Sequence, residues 1–361
     1  MRKNICSLVV VLSMSVGLTV SVLADGADFS GKKIDWLVPF GKGGGTDTWA
    51  RFLLPMVAEN LPGHPEVEIN NVPGEGSITG ANQFNASAQN NGLEVFGSTA
   101  STLFYYLLND NRVEYDPKEW IPVFATPMDG VLYISPDLGV KSAADLLKLQ
   151  HKKLVFPSLA PTSLDLLALL SMDLLGLHVK PVFGMDRADG RKAFERGEVN
   201  VDYQNTSAYL QKVVPLVKAG KAIPIMTWGV MGDDGKMHRD PSFPDLPHFA
   251  EVYEMLYGPK MLRRGQAFDV WRTFFVAGYA AQKFIFLPKG TPDDIVATWR
   301  KSMSDMAASE DFKSEAAKNI GSYDQVVGSQ VEDAFNMIVD VPKFNKIWIK
   351  AWLSDRYDVN F

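Results

Sequence analysis

The sequence predicts an α/β protein of two domains with a ligand cleft between them, and three observations carry that expectation. Strand-length apolar runs alternate with helix-length segments, the pattern of a parallel, doubly wound sheet. The chain has 361 residues. What remains after a short N-terminal leader is about twice a common domain length. Three consecutive glycines, Gly43 to Gly45, stand where the first strand meets the first helix, at the strand ends where open α/β sheets place ligands.

The N-terminus reads as an export signal. Arg2 and Lys3 form a basic start, Ile5 to Leu23 is apolar but diluted by Ser, Thr and Gly, and Val22-Leu23-Ala24 offers a small residue for cleavage. Residues 1–24 are therefore expected to be removed, leaving the protein in the periplasm. Cys6, the single cysteine, leaves with them, which excludes thiol nucleophiles and thiolate metal sites. Loss of Arg2 and Lys3 takes the formal charge from −6 to −8. An acidic chain is a poor partner for nucleic acid or an anionic membrane surface.

Lys33 to Phe40 alternates as a strand, with Ile34, Trp36 and Val38 on one face, and Thr48 to Asn60 follows as a helix. Glu66 to Asn71 is the next strand, then the turn Pro73-Gly74-Glu75-Gly76 and a helix from Ala81 to Ala88. Leu93 to Gly97 leads through Ser98-Thr99-Ala100-Ser101 into the apolar helix Leu103 to Leu108. A second set starts with the strand Val131 to Ser135 and the helix Ala143 to Leu149. It continues with the strand Lys153 to Phe156, the loop Pro157 to Ser163 and the helix Leu164 to Leu175. Strands follow at Lys180 to Phe183, Val199 to Tyr203 and Ala222 to Thr227. Between the first two, the mixed charges of Asp186 to Glu198 read as a solvated helix face. Gly229 to Pro247 is a turn-rich surface excursion, Phe274 to Leu287 is apolar again, and Pro288 to Pro292 introduces the helix Asp293 to Ala308. The aromatic tail, Trp348 to Phe361, is expected to pack in the core.

The glycine loop invites an anion. Glycine lets backbone approach a ligand, and the following helix aims its unpaired N–H groups and positive dipole end at the loop. It is not a nucleotide loop: Lys42 precedes the glycines with no Lys-Ser/Thr pair after them, and Thr46 breaks G-x-G-x-x-G. Thr46 can cap the helix or donate to a ligand. Pro157 to Ser163 repeats the arrangement in the second half, with Thr162 and Asp165 at capping-box spacing. Two such ends facing one cleft suit two carboxylates. Ser98, Thr99 and Ser101, the segment Asp202 to Asn205 (Gln204 included) and Gly184 stand at further strand ends. His64, His151, His178, His238 and His248 form no metal motif, and no G-x-S-x-G elbow or S-x-x-K occurs. No metal, cofactor or catalytic group is therefore assigned. An α/β enzyme acting on a carboxylated or phosphorylated metabolite, and a sensor component, stay open as alternatives.

Val38-Pro39-Phe40 with the glycine loop and Asp47, then Asn71 to Gly76, resembles the solute-binding receptors of tripartite tricarboxylate transporters, the Bug-type periplasmic proteins. Tyr115-Asp116-Pro117, Gly197 to Asp202, Phe243 to Pro247 with Phe249 to Glu251, and Pro288 to Pro292 continue the match in order. The resemblance implies a two-domain periplasmic-binding-protein fold, of the Venus-flytrap, type II-like class. Lobe 1 would be 25–126 with 246–361, and lobe 2 would be 127–245. It implies a monomeric receptor, not an enzyme, that delivers a small organic carboxylate to membrane permease subunits. Carried over residue by residue, it points to Phe40, Gly43, Gly44, Gly45, Thr46 and Asp47 in one lobe. In the other it points to Pro157, Ser158, Thr162 and Ser163. Ser98 to Ser101 and Asp202 to Asn205 would line the walls, although Lys42, Tyr203 and Gln204 depart from the family pattern. Binding is expected to close the lobes about hinges near Thr126 to Val131 and Gly229 to Pro247.

Overall fold

The computed structural model describes residues 26–232, 234–258 and 265–361. The export signal and Cys6 lie outside them. The first lobe opens with β1 (Lys33–Val38), whose Ile34, Trp36 and Val38 are fully buried, and α1 (Gly45–Asn60). Trp36 meets Trp49 of α1 edge-on at 5.7 Å, the aromatic geometry that adds to area burial. Next come β2 (Glu66–Asn71), α2 (Ile78–Ser87), β3 (Glu94–Thr99), α3 (Ala100–Leu107) and β4 (Ile121–Thr126). The last was not anticipated from sequence.

β5 (Gly130–Ile134) opens the second lobe, followed by a 3-10 segment (Ala143–Leu149), β6 (Leu154–Pro157), α4 (Asp165–Leu174), β7 (Val179–Val182), α5 (Arg187–Glu195) and β8 (Val201–Asn205). α6 (Thr206–Ala208) runs through a π-turn (Tyr209–Val213) into α7 (Val214–Lys218), and β9 (Ile223–Thr227) follows. The excursion after it is a small hairpin, β10 (Val230–Met231) and β11 (Met237–His238). α8 (Phe249–Tyr257) packs on the Ala143–Leu149 segment and β9. α9 (Gln266–Tyr279), β12 (Lys283–Leu287), α10 (Asp293–Ala308), α11 (Glu310–Asn319), α12 (Gln330–Val339) and α13 (Lys343–Tyr357) complete the chain.

The sheets are mixed, which corrects the all-parallel expectation. In the first, ordered β2-β1-β3-β12-β4, the strands β2, β1 and β3 run parallel while β12 runs antiparallel to both neighbours. The chain re-enters from the second lobe, so β12 starts at the end where β3 finishes: Lys283 pairs with Thr99. In the second lobe, β5 lies antiparallel between β8 and β9, and β6 pairs parallel with β7. Alternation of strand and helix in sequence registers neither direction. One core polar group serves three partners: Ser171 Oγ accepts from Trp271 Nε1 (2.8 Å) and Trp228 Nε1 (3.0 Å) and donates to the Leu167 carbonyl (2.6 Å). Both indole N–H groups are thus satisfied, as burial requires. In the tail, Trp352 is buried, whereas Phe361 is half exposed.

Candidate functional site

A cleft of about 530 Å³, counting the space at its mouth, separates the lobes. Phe40, Gly44, Gly45, Thr46, Thr99, Ser101 and Lys283 line it from the first lobe; Leu159, Leu164, Asp165, Asp186, Arg187, Tyr203 and Asn205 line it from the second.

α1 starts inside the glycine loop, three residues before the sequence reading placed it. Gly44 is its N-cap (φ −77°, ψ 171°), and among the described residues no side chain accepts from the first-turn N–H groups. Those donors are what a helix start leaves unpaired. Gly43 needs a left-handed φ of 82°. Its N–H donates to Asp47 Oδ2 at 2.8 Å, while Asp47 Oδ1 accepts from Arg51 Nε at 2.9 Å and Asn71 Nδ2 at 3.0 Å. Asp47 is thus buried and paired, and it holds the loop without lining the cleft. Thr46 is within the first turn, not its cap, and its Oγ1 accepts from Lys283 Nζ at 3.2 Å.

Lys283 is fully buried, and burial lowers its pKa from 10.5 to about 7. Among the described residues, no carboxylate comes within ion-pair distance of it. Sequence reasoning missed it because it followed the far ends of parallel strands, where an antiparallel strand contributes its first residue instead. The available signal was a lysine opening the apolar run Phe284 to Leu287.

The second lobe presents its charges already paired. Asp165, first residue of α4, accepts from Ser158 Oγ (3.0 Å), the Leu159 N–H (2.6 Å) and Tyr203 OH (2.7 Å). Arg187 lies 3.5 Å from Asp165 and 3.2 Å from Asp202, over the ring of Tyr203 at 4.7 Å, and donates to the Pro157 carbonyl. Burial works against its charge, but the two carboxylates outweigh burial and hold the guanidinium protonated. Burial pushes Asp202 up against the pull of Arg187 and the hydroxyl of Tyr133. The run Asp186 to Glu198 is therefore solvated on one side only: Arg187 and Arg191 face inward, a correction to the sequence reading. Thr162 does not cap α4. Ser163 Oγ accepts from the Asp165 N–H at 3.2 Å instead, and Thr162 lines a separate surface hollow with Arg112 and Phe361. Ser98, Pro157, Ser158, Ser163, Asp202 and Gln204 are buried behind the lining, and Gly184 is exposed outside the cleft; Gln204 Nε2 donates to the Arg187 carbonyl at 2.7 Å.

The lobes touch across the cleft. Ser207 Oγ donates to the Gly45 carbonyl at 3.0 Å, the Leu164 N–H to Ser101 Oγ at 3.1 Å, and Arg191 to the Gly43 carbonyl at 3.5 Å. Asn205 packs so closely on Gly45 that a Cβ there would fall 1.9 Å from its amide oxygen.

No family model matches the chain. It is 24% identical over 301 residues to a UPF0065 protein from the tcbD-tcbE intergenic region of Pseudomonas sp. strain P51, covering 81% of this chain and 79% of that one. Among solved structures it resembles Rpa4515 of R. palustris with adipate (20% identity, TM-score 0.69, 91% and 98% of the two chains). MatC from Rhodopseudomonas palustris with bound malate is similar at 20% identity and TM-score 0.63, covering 89% and 97%. The periplasmic binding protein BugD is similar at 18% identity and TM-score 0.65, covering 90% and 97%. The fold is that of periplasmic binding proteins, two α/β lobes around a cleft. Among the described residues no helix is long and apolar enough to cross a membrane, and no group of three or more His, Cys, Asp or Glu could hold a metal ion.

Proposed function

We propose that this chain is an extracytoplasmic solute-binding receptor of the Bug type, which captures a small organic carboxylate and delivers it to a tripartite tricarboxylate-type permease. The observation that carries the reading is the uncapped N-terminus of α1 opening into an inter-lobe cleft beside the buried Lys283. Bare N–H donors, the helix dipole and a buried cation favour an anion of carboxylate size. Adipate and malate in the neighbours support that class of ligand. The lobes are proposed as 25–126 with 246–361 and 127–245, closing about Thr126 to Val131 and Gly229 to Pro247, with a monomer as the working unit. A clam-shell needs contacts made only when shut, because closure is driven by differential affinity for the closed form. The lobe-to-lobe hydrogen bonds from Ser207 and Arg191 support that reading.

A thermal-shift panel of mono-, di- and tricarboxylates on the purified mature protein tests the reading. A true ligand at 100 times its dissociation constant adds about 2.7 kcal/mol of stability. If every acid leaves the melting temperature unmoved, the carboxylate reading falls. Loss of uptake of the identified acid on deleting the gene, in cells retaining the permease, tests delivery.

A further inference from the structure

We infer that the cleft takes a ligand with one ionised carboxylate, bound at the first lobe by the α1 N-terminus and Lys283, and that Asp165 and Asp186 exclude a second carboxylate from the opposite pole. The far end of the ligand is then uncharged or cationic. The inference rests on the receptor reading above and narrows it.

The second-lobe helix starts are the places where a second carboxylate would sit, and the chain fills both with its own. Asp165 occupies the start of α4 and takes up the donors there: the Ser158 hydroxyl, the Leu159 N–H and the Tyr203 hydroxyl. Asp186 caps α5, accepting from the N–H groups of Ala188 (2.8 Å) and Asp189 (2.9 Å). Arg187 has two carboxylates within 3.5 Å, so its single positive charge is already matched inside the lobe. A ligand carboxylate at this pole would meet two acidic side chains, and the guanidinium of Arg187, although its Nε is buried without a partner, already faces two carboxylates; like charges in a partly desolvated cleft repel strongly. The first lobe is the reverse. Its helix start has no acidic cap, and Asp47, the nearest carboxylate in sequence, is bound to Arg51 and the loop backbone. Lys283 uses one of its three donors on Thr46. The strands flanking it present Thr99 and Thr126 at its level, neither of them charged.

Isothermal titration with matched pairs of diacid and half-amide tests this: succinate and succinamate, glutarate and glutaramate, adipate and adipamate, terephthalate and terephthalamate. Each pair keeps size and polarity and removes one charge. The half-amide of the best pair should bind at least tenfold more tightly than its diacid. Lys283→Met should weaken that half-amide at least tenfold, and Asp165→Asn should narrow the gap between the two. If Asp165→Asn does not fold, Asp186→Asn serves in its place, and the wild-type ratio decides by itself. A diacid binding as tightly as its half-amide overturns the inference and leaves the receptor reading standing. If no member of the panel binds, the carboxylate reading itself is overturned and this inference falls with it.

Discussion

Gly45→Ala should separate ligand binding from folding. An alanine Cβ at this position would lie 1.9 Å from Asn205 Oδ1, 2.1 Å from Nδ2 and 2.3 Å from Cγ. That is roughly 1.5 Å short of comfortable non-bonded contact. Asn205 can retreat only by giving up its cap of α6, the contact to the Ala208 N–H at 3.5 Å. Losing a cap of this kind costs ~1 kcal/mol. The lobes can instead part, which breaks the Ser207 bond to the Gly45 carbonyl, about 1 kcal/mol more. A penalty of about 1–3 kcal/mol thus falls on the closed form alone and lowers affinity about 5- to 150-fold. The open form has no such clash, and alanine is the better helix former, so the ligand-free protein should be at least as stable as wild type. Calorimetric titration with the best acid of the panel, beside thermal melting and small-angle scattering, measures all three quantities. Scattering should show a larger radius of gyration for the ligand-saturated variant than for wild type. An affinity within twofold of wild type would refute the idea that contact between Asn205 and Gly45 belongs to the bound state.

Three further outcomes are expected. Gly44→Asp has room, its nearest neighbour being the Gly41 carbonyl at 3.6 Å, and aspartate is a favoured N-cap. The variant should fold yet lose binding by 100-fold or more in titration, because its carboxylate takes the ligand's place; retained affinity in the folded protein would remove α1 from the site. With pH, burial holds Lys283 near 7 in the free protein, while a bound carboxylate favours its charged form. Affinity should therefore be highest below pH 7 and fall by up to tenfold per unit as pH rises above it. The ligand-free protein should change in the opposite sense. A lysine whose folded pKa is lowered binds fewer protons folded than unfolded, so its contribution to stability rises with pH, by up to ~1.4 kcal/mol per unit, between about 7 and its ordinary value of 10.5. Titrations at pH 6, 7, 8 and 9, repeated on Lys283→Met, would show a flat profile in the variant if this residue is the source. Finally, mass spectrometry of the exported protein should find Asp25 at its N-terminus; a product retaining Arg2 would overturn the export signal.

What sequence revealed of this site follows from which interactions are local. Chain-adjacent features were legible: β2 and α10 begin and end where their residues predict, and the glycine loop opens on the cleft. The exceptions are long-range. Lys283 reaches the cleft only because β12 runs against β3, a pairing across more than 180 positions that neither propensity nor periodicity encodes. Arg187 lies in a stretch whose mixed charges read as solvent-facing, and its partners, Asp165 and Asp202, are 22 and 15 residues away. Thr162 and Asp165 have capping-box spacing, but the side chain that engages the Asp165 N–H is that of Ser163, and the Asp165 carboxylate turns back to the preceding loop. A cap and an anion site use the same donors. Sequence shows that such donors exist, and only the fold shows whether the chain itself has already taken them.

The two sides of the interlobe junction differ in kind, and that difference is what a reversible clamp requires. Behind the cleft the contacts are apolar. α9 packs on α4 from the second lobe and on α3, α12 and α13, with Phe104 meeting Phe274 edge-on at 5.4 Å and Gly278 admitting Leu164 and Leu167 to close range. Such burial is worth roughly 25 cal/mol per Å² and is not readily undone. Beside it, Asp129 accepts from the N–H groups of Gly130 (2.6 Å), Gly229 (2.6 Å) and Trp228 (3.2 Å), tying the crossover after β4 to the segment after β9. At the mouth, the named contacts between lobes are hydrogen bonds from Ser207 and Arg191, each worth about 1 kcal/mol net because water replaces it on opening. On the function proposed above, so few bonds would leave open and closed forms close in energy, and the added contacts of a bound carboxylate would choose between them. Were the mouth sealed by apolar surface like that behind the cleft, the lobes would stay shut without ligand, and the proposed closure on binding could not occur.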